Sequence, residues 1–139
     1  MEFQRNITLS NSLDELPRLK EVVDAASQAA GFGELVTNQM NLVVEEAVVN
    51  VIDYGYPAGA QGDIQVRATL DDGILTFVLI DRGVPFDPTT REPVDTTLPA
   101  EERPIGGLGI FMMQSLMDSI DYERIDEQNV LTLRKKIKR

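Results

Sequence analysis

Glu46 and Asn50 stand four residues apart in Glu45-Glu46-Ala47-Val48-Val49-Asn50, on what would be a helix face mostly lined by apolar residues. On a helix this spacing projects both side chains from one face. A carboxylate beside a carboxamide is a pair of hard oxygen ligands suited to Mg²⁺ and its waters. The carboxylate could instead take the proton of an attacking hydroxyl. The same pair would also be at home on a solvated helix edge. A second group, Asp81-Arg82-Gly83-Val84-Pro85-Phe86, follows the hydrophobic run Ile74, Leu75, Phe77, Val78, Leu79, Ile80. An acid at the end of a buried strand is costly unless it finds a donor, and a purine amino group is one. Gly83 removes a side chain where a flat base could approach the backbone, although Asp and Gly are also ordinary turn residues. The third group is Gly106-Gly107-Leu108-Gly109-Ile110. Clustered glycines at the start of a helix free backbone N–H groups for phosphate oxygens, and the helix dipole adds about half a positive charge. The Lys-Ser/Thr of a P-loop is missing.

Positioning these groups requires an ordered set of elements. Phe3, Arg5, Ile7 and Leu9 share one side of a predicted strand over 2–10. Ser12 and Glu15 form a capping box before a helix carrying Leu13, Leu16, Leu19, Val22, Val23 and Ala26, with Gly31 as its stop. A second helix is expected from Glu34 to Tyr54, ended by Gly55, Pro57 and Gly59. Strands over 62–71 and 73–81 are joined at Asp71-Asp72-Gly73, a hairpin signal. From Asp81 to Gly109 prolines accumulate and periodicity fades, which marks a functional or disordered stretch. A third helix is expected over Leu108–Met117, then strands over 119–126 and 129–137 around Asp126-Glu127-Gln128-Asn129. The order β-α-α-β-β-loop-α-β-β implies an α+β fold. It is expected to be a two-layer α/β sandwich with a mixed, mostly antiparallel sheet and helices on one face.

Composition narrows the chemistry. A length of 139 residues fits one domain, expected over 1–139. With no histidine, a Ser-His-Asp triad, a histidine metal site and autophosphorylation on histidine are all excluded, so any general base is a carboxylate, Lys or Tyr. With no cysteine there is no disulfide and no thiolate zinc site. A net charge of −10 argues against nonspecific nucleic-acid binding. No apolar run reaches membrane-span length and the N-terminus lacks a signal-peptide pattern, so a cytoplasmic location is expected. Arg134, Lys135, Lys136, Lys138 and Arg139 crowd the C-terminus, either as a solvated terminal strand or as a docking patch for an acidic partner.

Taken in order, the three groups resemble the Bergerat ATP-binding fold of the GHKL superfamily, shared by gyrase, histidine-kinase catalytic domains and mismatch-repair ATPases. Glu46-x-x-x-Asn50 matches its N-box, Asp81-x-Gly83 its first glycine box and Gly107-x-Gly109 its second. Residues of about 87–105 then correspond to an ATP lid. Within the superfamily the chain is most similar to bacterial anti-sigma-factor serine/threonine kinases, through residues 46–56, Asp81–Pro88, and Gly106–Met113 with Leu116-Met117-Asp118. Tyr54 stands where the N-box exit commonly carries histidine, and Pro85 replaces a glycine of many members.

The resemblance implies Mg·ATP bound between sheet and lid. Asn50 would coordinate Mg²⁺ and Glu46 would accept the proton of an incoming serine or threonine hydroxyl. Asp81 would hold the adenine amino group beside Gly83. Gly106, Gly107, Leu108 and Gly109 would hold the phosphates, and Arg103 would offset charge on the transferred group. It also implies a STAS-type anti-anti-sigma protein as substrate, a sigma factor as second partner, possible homodimers, and a role in transcription regulation without direct contact to nucleic acid or membrane. A non-catalytic ATP-binding partner-switching module and an ATP hydrolase are the alternatives.

Overall fold

Alternation with a period of two runs through the middle strands and sets the architecture. In the computed structural model, which describes residues 2–57, 59–85 and 107–137 (107–110 by backbone alone), Ile64, Val66, Ala68 and Leu70 face inward from one strand and Leu75, Phe77 and Leu79 from the next. The strands are β1 (Phe3–Ser10), β2 (Asp63–Asp71), β3 (Ile74–Asp81), β4 (Ser119–Ile125) and β5 (Gln128–Lys136). They form one sheet in the order β1-β2-β3-β5-β4. Every pairing among the described residues is antiparallel. The parallel component expected of a mixed sheet is therefore not found: hairpins join β2 to β3 and β4 to β5, and β5 enters beside β3 running opposite to it.

The helices α1 (Leu16–Ala29), α2 (Glu34–Asn50) and α3 (Gly107–Leu116) cover the inward face. α1 packs on β1, β2 and α2, while α2 also meets α3. Leu19, Val22, Val23 and Ala26 of α1 and Met40, Val43, Val44, Ala47 and Val48 of α2 recur at helical spacing and are buried. Each Leu, Val or Met side chain among them contributes roughly 1.5–3 kcal/mol when fully withdrawn from water. The entry to α1 departs from the expected capping box. A 3₁₀ turn over Leu13–Glu15 precedes the helix, and the Ser12 hydroxyl accepts from the Asp14 N–H. The Glu15 carboxylate reaches past Ser12 to the Ser10 N–H at 3.1 Å, and it also takes Arg18. Pro17 then sits in the first turn of α1, where no intrahelical N–H is lost.

Ser27 of α1 is fully buried, and its hydroxyl has no hydrogen-bond partner among the described residues. A buried unpaired hydroxyl costs about 1–3 kcal/mol, and alanine is the better helix former. Ser27→Ala is therefore expected to stabilise the fold by about 1 kcal/mol, raising Tm by on the order of 4 °C in a melt followed by circular dichroism.

Both hairpins turn on two residues of positive φ. Asp72 (52°) and Gly73 (73°) close β2 onto β3, as the Asp-Gly signal predicts. Asp126 (51°) and Glu127 (64°) close β4 onto β5, with Ile125 paired to Gln128. The second turn is thus shorter than the expected Asp126–Asn129, and Asn129 lies within the sheet. The basic C-terminal strand is partly engaged. Arg134 pairs with Asp121 at 2.6 Å, and Lys135 donates to the carbonyl of Leu116 at the end of α3, where a cation complements the helix dipole. Lys138 and Arg139 lie outside the described residues.

Candidate functional site

α2 delivers Asn50 at its last α-helical residue, and the chain then widens into a π turn over Val51–Gly55 instead of continuing as α-helix to Tyr54. Single π turns of this kind recur at functional sites because they re-aim side chains at a helix end. Here the wider turn carries Gly55 under the end of β3, where its carbonyl accepts the Val84 N–H at 2.8 Å. A Cβ on Gly83 would lie 2.4 Å from the Gly55 carbonyl oxygen. The space that Gly83 opens is filled by this backbone, which gives the glycine a structural reason of its own.

Between α2, the ends of β3 and β5, and α3 lies a recess open to solvent. Its walls are mostly apolar, from Ala47, Val51, Leu79, Met113 and Leu131, and its polar groups are Asn50, Asp81, Tyr122 and Asn129. A largely apolar cleft with a few convergent polar groups is the usual form of a small-molecule site.

Asn50 is 6% exposed, and its carboxamide makes no hydrogen bond among the described residues; Nδ2 is sealed from solvent. A buried donor left unpaired costs about 1–3 kcal/mol, so the position fits a ligand that supplies the missing partner. The amide oxygen is likewise unclaimed, and with Glu46 one turn earlier it suits a hard cation that keeps most of its waters and takes few protein ligands. Among the described residues, no group of three or more His, Cys, Asp or Glu side chains is placed to hold a metal ion.

Glu46 is half-buried and does not line the recess. Its pKa is raised above the ordinary 4.5, first by burial, then by the charges of Asp53 and Glu45. A carboxylate so placed is a stronger base than one in water, as proton abstraction from a hydroxyl requires.

Asp81 is 5% exposed. Its Oδ1 accepts from the Gly83 N–H at 2.8 Å and from Asn129 Nδ2 at 2.9 Å, whereas Oδ2 accepts nothing among the described residues. One oxygen is therefore spent on holding the carboxylate, and the other is left for a donor brought by a ligand. Tyr56 braces the same loop: its hydroxyl accepts from the Arg82 N–H and donates to the carbonyl of Asp63, both at 2.9 Å. Burial is the main reason that its pKa lies above the usual tyrosine value.

The structure thus brings Asn50 and Asp81 to one recess, with Glu46 a helical turn away and Gly83 in the loop behind Asp81. The backbone of Gly107, Leu108 and Gly109 forms the first turn of α3. Arg103, Gly106 and the expected lid at about 87–105 lie outside the described residues. Asn129 and Tyr122 were not expected from sequence. The available signal was the alternation of β5, which places a polar Asn129 on the inward side with Leu131 and Leu133.

Fold and recess together define an α+β domain with a mostly apolar recess at the ends of its central strands. The family profile described as Histidine kinase-like ATPase domain matches residues 9–135, and the chain belongs to that family. Among similar proteins, an anti-sigma F factor of Bacillus licheniformis is 36% identical over 91 residues, covering 64% of this chain and 61% of that protein. A serine-protein kinase RsbW of Listeria monocytogenes is 32% identical over 95 residues, 66% of this chain and 60% of the relative. An anti-sigma F factor of Heyndrickxia coagulans is 29% identical over 138 residues, 97% of this chain and 91% of that protein. The match thus spans about three fifths of the length of the first two relatives and nearly all of the third. A crystal structure of the RsbU and RsbW domains of a Mycobacterium tuberculosis protein superposes with a TM-score of 0.69 over 99% of this chain and 33% of that one, at 19% identity. That likeness concerns the fold. No helix among the described residues is long and apolar enough to cross a membrane.

Proposed function

We propose that this chain is an ATP-dependent serine/threonine protein kinase that acts as an anti-sigma regulatory factor, phosphorylating a STAS-type anti-anti-sigma protein and restraining a sigma factor. The observation that carries the reading is the buried Asn50 carboxamide, unpartnered among the described residues, set one helical turn from a carboxylate of raised pKa and lining the recess that holds the half-satisfied Asp81. In this reading the base enters the apolar recess, where its exocyclic amino group donates to Asp81. Asn50 would hold Mg²⁺, whose charge offsets that of the phosphates. The N–H groups at the start of α3 (Gly107, Leu108, Gly109), with Gly106, bind phosphate oxygens. Glu46 takes the proton of the attacking hydroxyl, and Arg103 offsets charge on the transferred group. Phosphoryl transfer asks the protein chiefly for positioning and charge stabilisation, and these residues supply both.

The names of the relatives, anti-sigma F factor and serine-protein kinase RsbW, support the same class of activity and partners. Such a protein works in the cytoplasm, as a monomer or a homodimer. The test is incubation with Mg²⁺ and γ-labelled ATP, with and without purified STAS-domain proteins. Label on a serine or threonine of the STAS protein is the expected result. Phosphate release without an acceptor would replace the kinase by a hydrolase, and ATP binding with neither outcome would leave a non-catalytic switching module.

A further inference from the structure

The inward-facing residues near the recess form one cross-strand row: Leu9 pairs with Ile64, Ile64 with Asp81, Asp81 with Asn129 and Asn129 with Arg124. Two positions are apolar and three polar. The polar end is a closed hydrogen-bond network. Asn129 Nδ2 donates to Asp81 Oδ1 and to the Val84 carbonyl, each at 2.9 Å. Asn129 Oδ1 accepts from the Tyr122 hydroxyl and, at 3.1 Å, from Arg124 Nη1. The same Nη1 also donates to the Gly83 carbonyl at 2.7 Å. Both hydrogens of the Asn129 amide and both lone pairs of its oxygen are thereby used.

This network has a polarity. Turned over, the amide would set Asn129 Oδ1 against two acceptors, Asp81 Oδ1 and the Val84 carbonyl, and Nδ2 against the guanidinium. Tyr122 and Arg124 hold the amide oxygen from one side, as Asp81 Oδ1 and the Val84 carbonyl hold its NH₂ from the other, so all four groups favour the same orientation. With Asn129 fixed, Asp81 has Oδ1 tied down, while Oδ2 accepts nothing among the described residues.

We propose that Tyr122 and Arg124 are positioning residues that lock the Asn129 carboxamide, and through it Asp81, so that Asp81 Oδ2 reads the exocyclic amino group of an adenine nucleotide against the carbonyl of a 6-oxopurine. This rests on the nucleotide reading above. Neither residue needs to touch the ligand for the effect. Tyr122→Phe removes one oxygen and keeps the ring; Arg124→Gln removes the charge and the second donor.

The experiment compares the affinities of ADP and IDP, which differ at the 6-position of the base, by titration calorimetry with Mg²⁺ on the full chain. Wild type is expected to prefer ADP. Each variant, and more so the double variant, is expected to narrow the ADP-to-IDP ratio by about 3- to 10-fold, the worth of one hydrogen bond, with the loss on the ADP side. A role confined to stability would lower Tm and weaken both nucleotides alike, leaving the ratio unchanged; that result in folded Tyr122→Phe overturns the lock but leaves the nucleotide reading intact. Failure of wild type to bind either nucleotide overturns both.

Discussion

Glu46→Gln is expected to lower phosphoryl transfer to a STAS-domain acceptor by about 10²–10⁴-fold, the usual contribution of a positioned base, while Mg·ATP affinity stays within the error of calorimetry. The division follows from placement. Glu46 stands outside the recess lining, whereas Asn50 and Asp81 are part of it. Glutamine preserves shape and polarity and removes only the ability to take a proton. Its pKa, raised first by burial and then by Asp53 and Glu45, also dictates the pH behaviour. The rate should fall on the acid side at a pH above the ordinary 4.5 of a glutamate, as the base becomes protonated. Stability follows the same titration with a definite sign. Between 4.5 and the raised value the folded chain binds more protons than the unfolded one, so the contribution of Glu46 is full below 4.5 and lost as pH rises through its folded pKa. The Tm of Glu46→Gln relative to wild type should therefore increase with pH across that window. Full turnover in the folded variant would remove Glu46 from the chemistry. Loss of nucleotide binding would contradict the separation of base and binding groups.

Legibility from sequence was uneven, and the reasons are local. The three helices and five strands follow from apolar spacing, because 3.6- and 2-residue periods are carried by the chain itself. The β2–β3 turn was readable because Asp72-Gly73 supplies the positive φ that a two-residue hairpin needs. The β4–β5 turn was not, since Asp126 and Glu127 reach the same conformation without glycine, and the neighbouring Gln128 and Asn129 look like loop residues. β5 begins one residue before the expected 129, and counting Asn129 with the turn as well as at the strand's start concealed the network behind Asp81. Glu46 and Asn50 could be placed on one face from spacing alone. That Asn50 would be buried and, among the described residues, left without a partner depends on β3, β5 and α3 closing around it, which no local pattern states. Gly83 shows the limit from another direction: a glycine expected to admit a base meets the backbone of Gly55, a contact between segments nearly thirty residues apart.

Asp81→Asn is the sharpest test of how the recess would read its ligand. Asparagine can keep the first role of the carboxylate, since its amide oxygen can accept from the Gly83 N–H and from Asn129 Nδ2 as Oδ1 does now at 2.8 and 2.9 Å. Those two donors fix the amide's orientation, so its NH₂ must occupy the place of Oδ2. A donor then faces the donor of the adenine amino group, and a charge-assisted hydrogen bond is replaced by a repulsive contact. Hydrogen bonds to charged groups contribute about 1.5–3 kcal/mol, which sets the expected loss of ATP affinity at about 10- to 100-fold. The same variant should gain toward ITP, whose 6-carbonyl accepts from the new NH₂, and this reversal separates base reading from general damage to the recess. Because the substitution also removes a charge that is 5% exposed, the ligand-free protein should unfold at the wild-type temperature or above it. An Asp81→Asn protein that remains folded and binds ATP and ITP in the wild-type ratio would show that the base is recognised elsewhere.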